Sequence, residues 1–157
     1  MMNDSGKWET FSVGKVTKMG LTKPQTTVTP FLMFEGEAGA AIDFYKTVFN
    51  ETKIKSMTKY EAGERGENGK NGSVKLATIL TAGQKIKCTD RPIKHGFGFT
   101  PSFSFFVECE NEAQLNERFT KLLDGGKVMM PVDNYGFSKK FGWVSDKFGV
   151  SWQLNLE

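Results

Sequence analysis

The chain states one structural pattern twice, and that repetition restricts its fold more than any single residue does. A strand-like run over residues 28–34 leads into an acidic stretch, 35–37, and then an amphipathic helical pattern over 38–49. The same order recurs with a strand-like run over 102–109, an acidic stretch at 110–112 and a helical pattern over 113–124. Glu37-Ala38 matches Glu112-Ala113, Phe44 matches Phe119 and Lys46 matches Lys121, all at an offset of 75 residues. Two copies of a strand-helix-strands unit can set their sheets side by side and leave a concave surface suited to a small ligand. The predicted class is α+β.

Each half continues in strands. Residues 53–60 and 73–80 read as strands around a Gly- and charge-rich loop at 61–72, and Ala82-Gly83 turns the chain into a further strand at 84–89. The loop glycines, Gly63, Gly66, Gly69 and Gly72, lack the Gly-Lys-Ser/Thr ending and following helix of a phosphate loop. In the second half, strands are predicted at 127–132, 139–145 and 150–156, with a tight turn at 146–149. The expected organisation is an N-terminal extension (1–26), a first module (27–90), a linker (91–101) and a second module (102–157). In the extension, Trp8, Phe11, Val13 and Val16 suit a hairpin arm as well as an unstructured tail.

The helical stripes are specific. Ala38, Ala41, Ile42, Tyr45, Val48 and Phe49 recur at three- and four-residue spacing, as do Leu115, Phe119, Leu122 and Leu123. Asn111 followed by Gln114 resembles a capping box, and Gly125-Gly126 ends the second helix. A chain of 157 residues fits one domain or two fused modules, and its 14 Phe, 3 Trp and 3 Tyr fall mostly in these periodic segments. They read first as core.

Charge excludes some functions. The net charge is +3, with 21 basic residues scattered among 18 acidic ones, which gives no nucleic-acid footprint. The densest basic group, Lys85, Lys87, Arg91 and Lys94, is interrupted by Asp90 and reads as a solvated strand edge. Cys88 and Cys109 have neither metal-ligand nor disulfide-framework spacing and are expected to be reduced and partly buried. No apolar stretch approaches a membrane span or a secretory signal, so a cytoplasmic protein without membrane contact is expected.

Strand parity defines the candidate site. Trp152, Leu154 and Leu156 face one way and Ser151, Gln153 and Asn155 the other. Carried through the offset, Thr29 pairs with Ser104 and Phe31 with Phe106 on the inner face, while Pro30 and Leu32 pair with Phe105 and Val107 toward the helices. Phe141 and Trp143 alternate on one strand and, with Phe97 and Phe99, could build an aromatic wall or ordinary core. The ligand-binding candidates are therefore Thr29, Phe31, Ser104, Phe106, Phe141, Trp143 and Gln153. A metal needs converging His, Asp, Glu or Cys donors, and this face offers none. No cofactor is predicted, and a divalent metal is disfavoured. His95, the single histidine, is the one catalytic candidate, since imidazole titrates near neutrality. Nothing in the spacing builds a Ser-His-Asp triad around it.

Four segments carry a family resemblance: Thr29-Pro30-Phe31-Leu32-Met33-Phe34, Ala41-Ile42-Asp43-Phe44-Tyr45, Phe105-Phe106-Val107-Glu108-Cys109, and residues 142–153 with their Asp-Lys-Phe-Gly-Val-Ser-Trp-Gln ending. Over residues 27–157 the chain resembles the PhnB-like group, labelled 3-demethylubiquinone-9 3-methyltransferase, of the vicinal oxygen chelate superfamily. That superfamily includes glyoxalase I, bleomycin-resistance proteins and extradiol dioxygenases. The resemblance implies paired βαβββ modules with curved mixed sheets, helices on the outer face, a ligand pocket inside each sheet and a homodimer. Metal-dependent relatives place ligands at positions that fall near Thr29, Lys87, Ser102 or Ser104, and Gln153, and of these only Gln153 is a plausible donor. Phe141 stands where many PhnB-like sequences have Cys, which excludes a thiol role there. The methyltransferase label implies S-adenosylmethionine, yet no glycine-rich strand-to-helix turn to cradle it is present. The expectation is a small organic ligand, aromatic or quinone-like, bound without metal, with catalysis left open. Two alternatives stand beside it: a metal-dependent lyase, isomerase or dioxygenase of the same superfamily, and a non-catalytic protein that sequesters a drug or metabolite.

Overall fold

Each half of the chain winds as strand, helix and three strands. The computed structural model describes residues 25–64 and 72–157, so the candidate N-terminal arm and most of the 61–72 loop lie outside the described residues. The first half comprises β1 (Phe31–Phe34), α1 (Ala38–Val48), β2 (Lys53–Lys59), β3 (Val74–Thr81) and β4 (Gln84–Asp90). The second comprises β5 (Ser104–Glu108), α2 (Glu112–Leu123), β6 (Lys127–Asp133), β7 (Lys140–Ser145) and β8 (Ser151–Leu156). The sheets have matching orders, β1-β4-β3-β2 and β5-β8-β7-β6. In both, the first strand runs parallel to the last and the remaining pairs are antiparallel.

The first strand is shorter than its apolar run suggests. Pro30 has no N–H for a ladder; its carbonyl still accepts from Lys87 N at 2.9 Å, and pairing proper starts with Phe31 opposite Lys87. Thr29 therefore precedes the strand. Leu32 and Phe34 turn inward under α1, whose buried stripe is Ala38, Ala41, Ile42, Tyr45 and Val48. Asp90 fixes this packing: one carboxylate oxygen accepts from Ala38 N and the other from Val74 N, both at 2.8 Å. It thereby ties the start of α1 and the start of β3 to the end of β4.

Asn111 caps α2 as its spacing predicts, accepting from Gln114 N at 2.8 Å. Gln114 reaches back to Glu110 N at 2.9 Å, one residue earlier than in the standard box. Leu115, Phe119 and Leu122 form the buried stripe. Past the helix end, Gly126 sits so close to the Ser145 carbonyl oxygen that a Cβ would collide with backbone. Gly142 leaves room for the Phe119 ring, which a Cβ would meet at 2.7 Å.

One continuous core joins the halves. Trp152 of β8 lies 5.3 Å from both Tyr45 and Phe49 of the first module, centroid to centroid. Asp146, in the turn before β8, accepts from Tyr45 Oη at 2.7 Å, Trp152 Nε1 at 2.9 Å, Phe148 N at 2.8 Å and Val150 N at 3.0 Å. Four donors satisfy both carboxylate oxygens, as a buried charge requires. The linker is tied down as well: Arg91 N donates to Phe34 O at 2.8 Å, and Phe99 packs edge-on to Phe34 at 5.0 Å. Arg91 corrects the expectation of a solvated edge. It is 4% exposed, paired with Glu35 at 3.2 Å and bonded to Phe97 O at 2.9 Å.

Two predictions follow from this packing. The Ala82-Gly83 hairpin turn has φ of 47° and 83°, the left-handed pair of a type I′ turn, which Ala tolerates poorly and Asn well. Ala82→Asn should raise stability by about 0.5–1 kcal/mol in urea titrations; an unchanged or lower midpoint would contradict the strain. Burial, and then the neighbouring Asp146 carboxylate, hold the Tyr45 phenol well above its ordinary value. The stability from the neutral phenol is complete below about pH 10. Above that it declines by about 1.4 kcal/mol per pH unit, until Tyr45 itself ionises. Tyr45→Phe should cost about 1–2 kcal/mol at neutral pH, and its stability curve should converge with that of the parent above pH 10. Parallel curves would contradict the coupling.

Candidate functional site

The sheet face opposite α2 resolves into three rows across β5, β8, β7 and β6, because cross-strand partners share a face. The first row is Ser104, Ser151, Ser145 and Lys127; the second is Phe106, Gln153, Trp143 and Met130; the third is Glu108, Asn155, Phe141 and Asp133. Register shifts in β6 on either side of Met130 close before Asp133. Pro131, which cannot donate to the ladder, lies in the second of them.

Hydrogen bonds lock the polar members together. Ser104 Oγ and Ser151 Oγ are 2.6 Å apart, Trp143 Nε1 donates to Ser151 Oγ at 2.7 Å, and Gln153 Nε2 donates to Ser104 Oγ at 3.3 Å. Asn155 Nδ2 donates to Glu108 Oε2 at 3.0 Å, and Ser138 Oγ donates to Asn155 Oδ1. A strip hydrogen-bonded in this way holds its side chains in fixed positions.

Above it lies an aromatic group only partly foreseen. Phe141 is 5% exposed because Tyr135 and Phe137, from the β6–β7 connection, fold over it. The Phe137 and Tyr135 rings lie 5.1 and 6.0 Å from that of Phe141, both edge-on, and Phe106 lies 6.4 Å away on the same face. Phe106 and Phe137 stay 55% and 64% exposed. The turn that delivers these rings is set by Asn134 Oδ1 accepting from Gly136 N at 2.8 Å, with Gly136 at φ 94°. The Asn-Tyr-Gly sequence between two strands was its visible signal.

The structure thus brings Ser104, Phe106, Phe141, Trp143 and Gln153 onto one face. Phe31 occupies the matching position of the first module, where its row is Phe31, Lys87, Thr78 and Ser56. Thr29 stands just outside that sheet. Phe97 and Phe99 do not join Phe141 and Trp143: Phe97 stacks on His95 at 5.2 Å, and Phe99 belongs to the Phe34 cluster. Ser102 Oγ pairs with Thr100 Oγ1 at 2.6 Å and Asp90 is committed to backbone amides, so no triad forms about His95. A cavity of about 510 Å³ opens where β5 faces the β3–β4 turn, with Pro30, Gln84, Ser104, Phe106, Arg118 and Trp152 in its wall.

The positions at which metal-dependent relatives would hold an ion carry Thr29, Lys87, Ser104 and Gln153. A lysine, two hydroxyls and an amide already bonded to one of them do not fit a divalent cation. Among the described residues no three His, Cys, Asp or Glu side chains converge on a common point. The β1–α1 turn carries Glu35 and Glu37, and its first helical amide is taken by Asp90; it does not fit a phosphate or carboxylate cradle. Among the described residues no helix is long and apolar enough to cross a membrane.

Two βαβββ modules with mixed four-stranded sheets and helices packed on one face of each make up a glyoxalase-like, vicinal oxygen chelate fold. Residues 26–155 match the model of the 3-demethylubiquinone-9 3-methyltransferase family, and the chain belongs to that family. A PhnB protein from Bacillus cereus is 44% identical, with a TM-score of 0.79 over 84% of this chain and 100% of that one. Protein YjdN of Escherichia coli (strain K12) is 24% identical over 139 residues, 82% of this chain and 94% of that protein. A glyoxylase/bleomycin resistance protein/dioxygenase domain from Frankia shares the fold alone, at 13% identity and a TM-score of 0.57 over 85% of this chain and 93% of that one.

Both thiols lie off this face. Burial, with the Asp90 charge behind it, pushes Cys88 up to about 12, and burial raises Cys109 as well. Ellman's reagent at pH 8 should leave Cys88 unmodified in the native protein and titrate both cysteines in denaturant. Rapid native labelling of Cys88 would contradict its placement in the core.

Proposed function

We propose that the protein binds a planar organic molecule, aromatic or quinone-like, on the open face of its second sheet, without a metal. The observation that carries this reading is the pairing of exposed rings with a locked polar strip. Phe106 and Phe137 offer ring faces, and Trp143 and Phe141 form the floor between them. Gln153 and Asn155 supply amide groups able to orient a carbonyl or hydroxyl. Stacking on rigid rings supplies affinity and a few fixed polar groups supply orientation, which is the usual division of labour in small-molecule sites. The family's description names a quinone, which suits a bulky planar ligand. The reading assigns His95 no catalytic step, because its ring is engaged with Phe97 on the linker.

Trp143 lies within the proposed site and reports on it. Titration with menadione should quench its fluorescence saturably, with an affinity that chelator does not change. Phe106→Ala should weaken binding about tenfold while leaving the urea midpoint within about 1 kcal/mol of the parent. Quenching that is linear, or equal in the parent and Phe106→Ala, would overturn the reading.

A further inference from the structure

Resting on that reading, we infer that the bound molecule carries a positive charge on or beside its aromatic system, so that the site is selective for a planar organic cation. The inference starts from the third row of the sheet. Glu108 and Asp133 stand at its two ends, with Asn155 and Phe141 between them. Neighbouring strands lie roughly 4.8 Å apart, so the two carboxylates bracket the Phe141 ring from opposite edges of the sheet. Each is partly engaged as an acceptor, Glu108 Oε2 from Asn155 Nδ2 at 3.0 Å and Asp133 Oδ1 from Asn134 N at 2.7 Å. Neither belongs to any ion pair among the described residues, whereas Glu35, Glu51, Glu64, Glu112 and Glu117 each have a basic partner.

The rings between them have the matching character. Four aromatic side chains gather at this end of the face, Phe106, Tyr135, Phe137 and Phe141, and three of them are at least 38% exposed. Aromatic faces are electron-rich and attract cations, and a ligand that shields the carboxylates from water strengthens that attraction. Of the module's cations, Lys127 is at the far end of the first row and Lys140 points to the opposite face, 3.9 Å from Glu112, while Lys139 stands exposed in the β6–β7 connection. The first module offers the contrast. The corresponding face there carries Lys87 beside Phe31 and Lys85 paired through Leu80 with Lys53, and it lacks the ring cluster. A positive ligand is drawn to the second face and repelled by the first.

Three probes with one ring system test this: N-methylquinolinium, quinoline and quinoline-2-carboxylate, titrated against Trp143 fluorescence at pH 8. N-methylquinolinium should bind about tenfold more tightly than quinoline, and the carboxylate more weakly than either. Its preference should shrink as salt is raised. Glu108→Gln and Asp133→Asn should each lower N-methylquinolinium affinity about threefold more than quinoline affinity, and Phe137→Ala should weaken both. Quinoline or its carboxylate binding as tightly as the cation would overturn the charge selectivity and leave the aromatic site standing. Failure of all three probes to bind would overturn both.

Discussion

A single buried carboxylate holds the two halves of this molecule in register. Asp146 is 3% exposed and accepts from four donors, two backbone amides of its own turn, the Trp152 indole and the Tyr45 phenol from the other module. An ionised group in such surroundings is tolerated only when its oxygens are fully occupied. The geometry of the turn, the rotamer of Trp152 and the position of α1 are consequently not independent. Displacing α1 would strip Asp146 of a partner and expose the Trp152 ring at once. Asp90 plays the corresponding part within the first module, at a different point of the motif, by binding Ala38 N and Val74 N. The duplicated modules were stabilised by separate solutions to one requirement, the anchoring of a strand end against a helix.

With the scaffold fixed from the helical side, the open faces were free to diverge. Backbone pairing is the same in both sheets, down to Phe31 opposite Lys87 and Phe106 opposite Gln153. The neighbours are not. Where the second module has Gln153 and Trp143, the first has Lys87 and Thr78. Lysine and threonine leave a wet, positively charged surface, while tryptophan with bonded serines and amides makes a rigid amphipathic one. The proposed reading therefore assigns ligand recognition to one copy, although the repeat by itself implied two equivalent faces.

How far this was legible in the sequence depended on the range of the interaction. The helices were readable because their stripes and the Asn111 cap are local patterns, and the equivalence of the two modules followed once the repeat was noticed. Strand parity correctly separated Trp152 and Leu154 from Ser151 and Gln153 for the same reason. Interactions between distant segments left no such trace. Arg91 looked like one more surface cation, and only its pairing with Glu35 across the β1–α1 turn explains its burial. Phe141 read equally as a wall residue or as core, because nothing local announces that Tyr135 and Phe137 will fold over it. Phe97 and Phe99 were grouped with it by residue type, but the linker carries them to Arg91 and Phe34 instead.

The relation between polar strip and ring cluster limits what the site can be used for. Ser104 and Ser151 spend their hydrogen bonds on each other, on Gln153 and on Trp143, so on the proposed reading a ligand meets this strip only through the capacity that the Gln153 and Asn155 amides have left over. The adaptable groups are those with exposed surface or uncommitted oxygens: Phe106, Phe137, Glu108 and Asp133. On the proposed reading, a ligand is recognised mainly through its aromatic area and its charge, and only secondarily through the pattern of its hydrogen-bonding groups. Such a site accepts a chemical class more readily than a single compound, because stacking tolerates variation in ring substituents far better than a buried hydrogen-bond array does. Of the positions that would carry metal ligands in metal-dependent relatives, Ser104 and Gln153 are, in this chain, part of the bonded strip beside the aromatic platform.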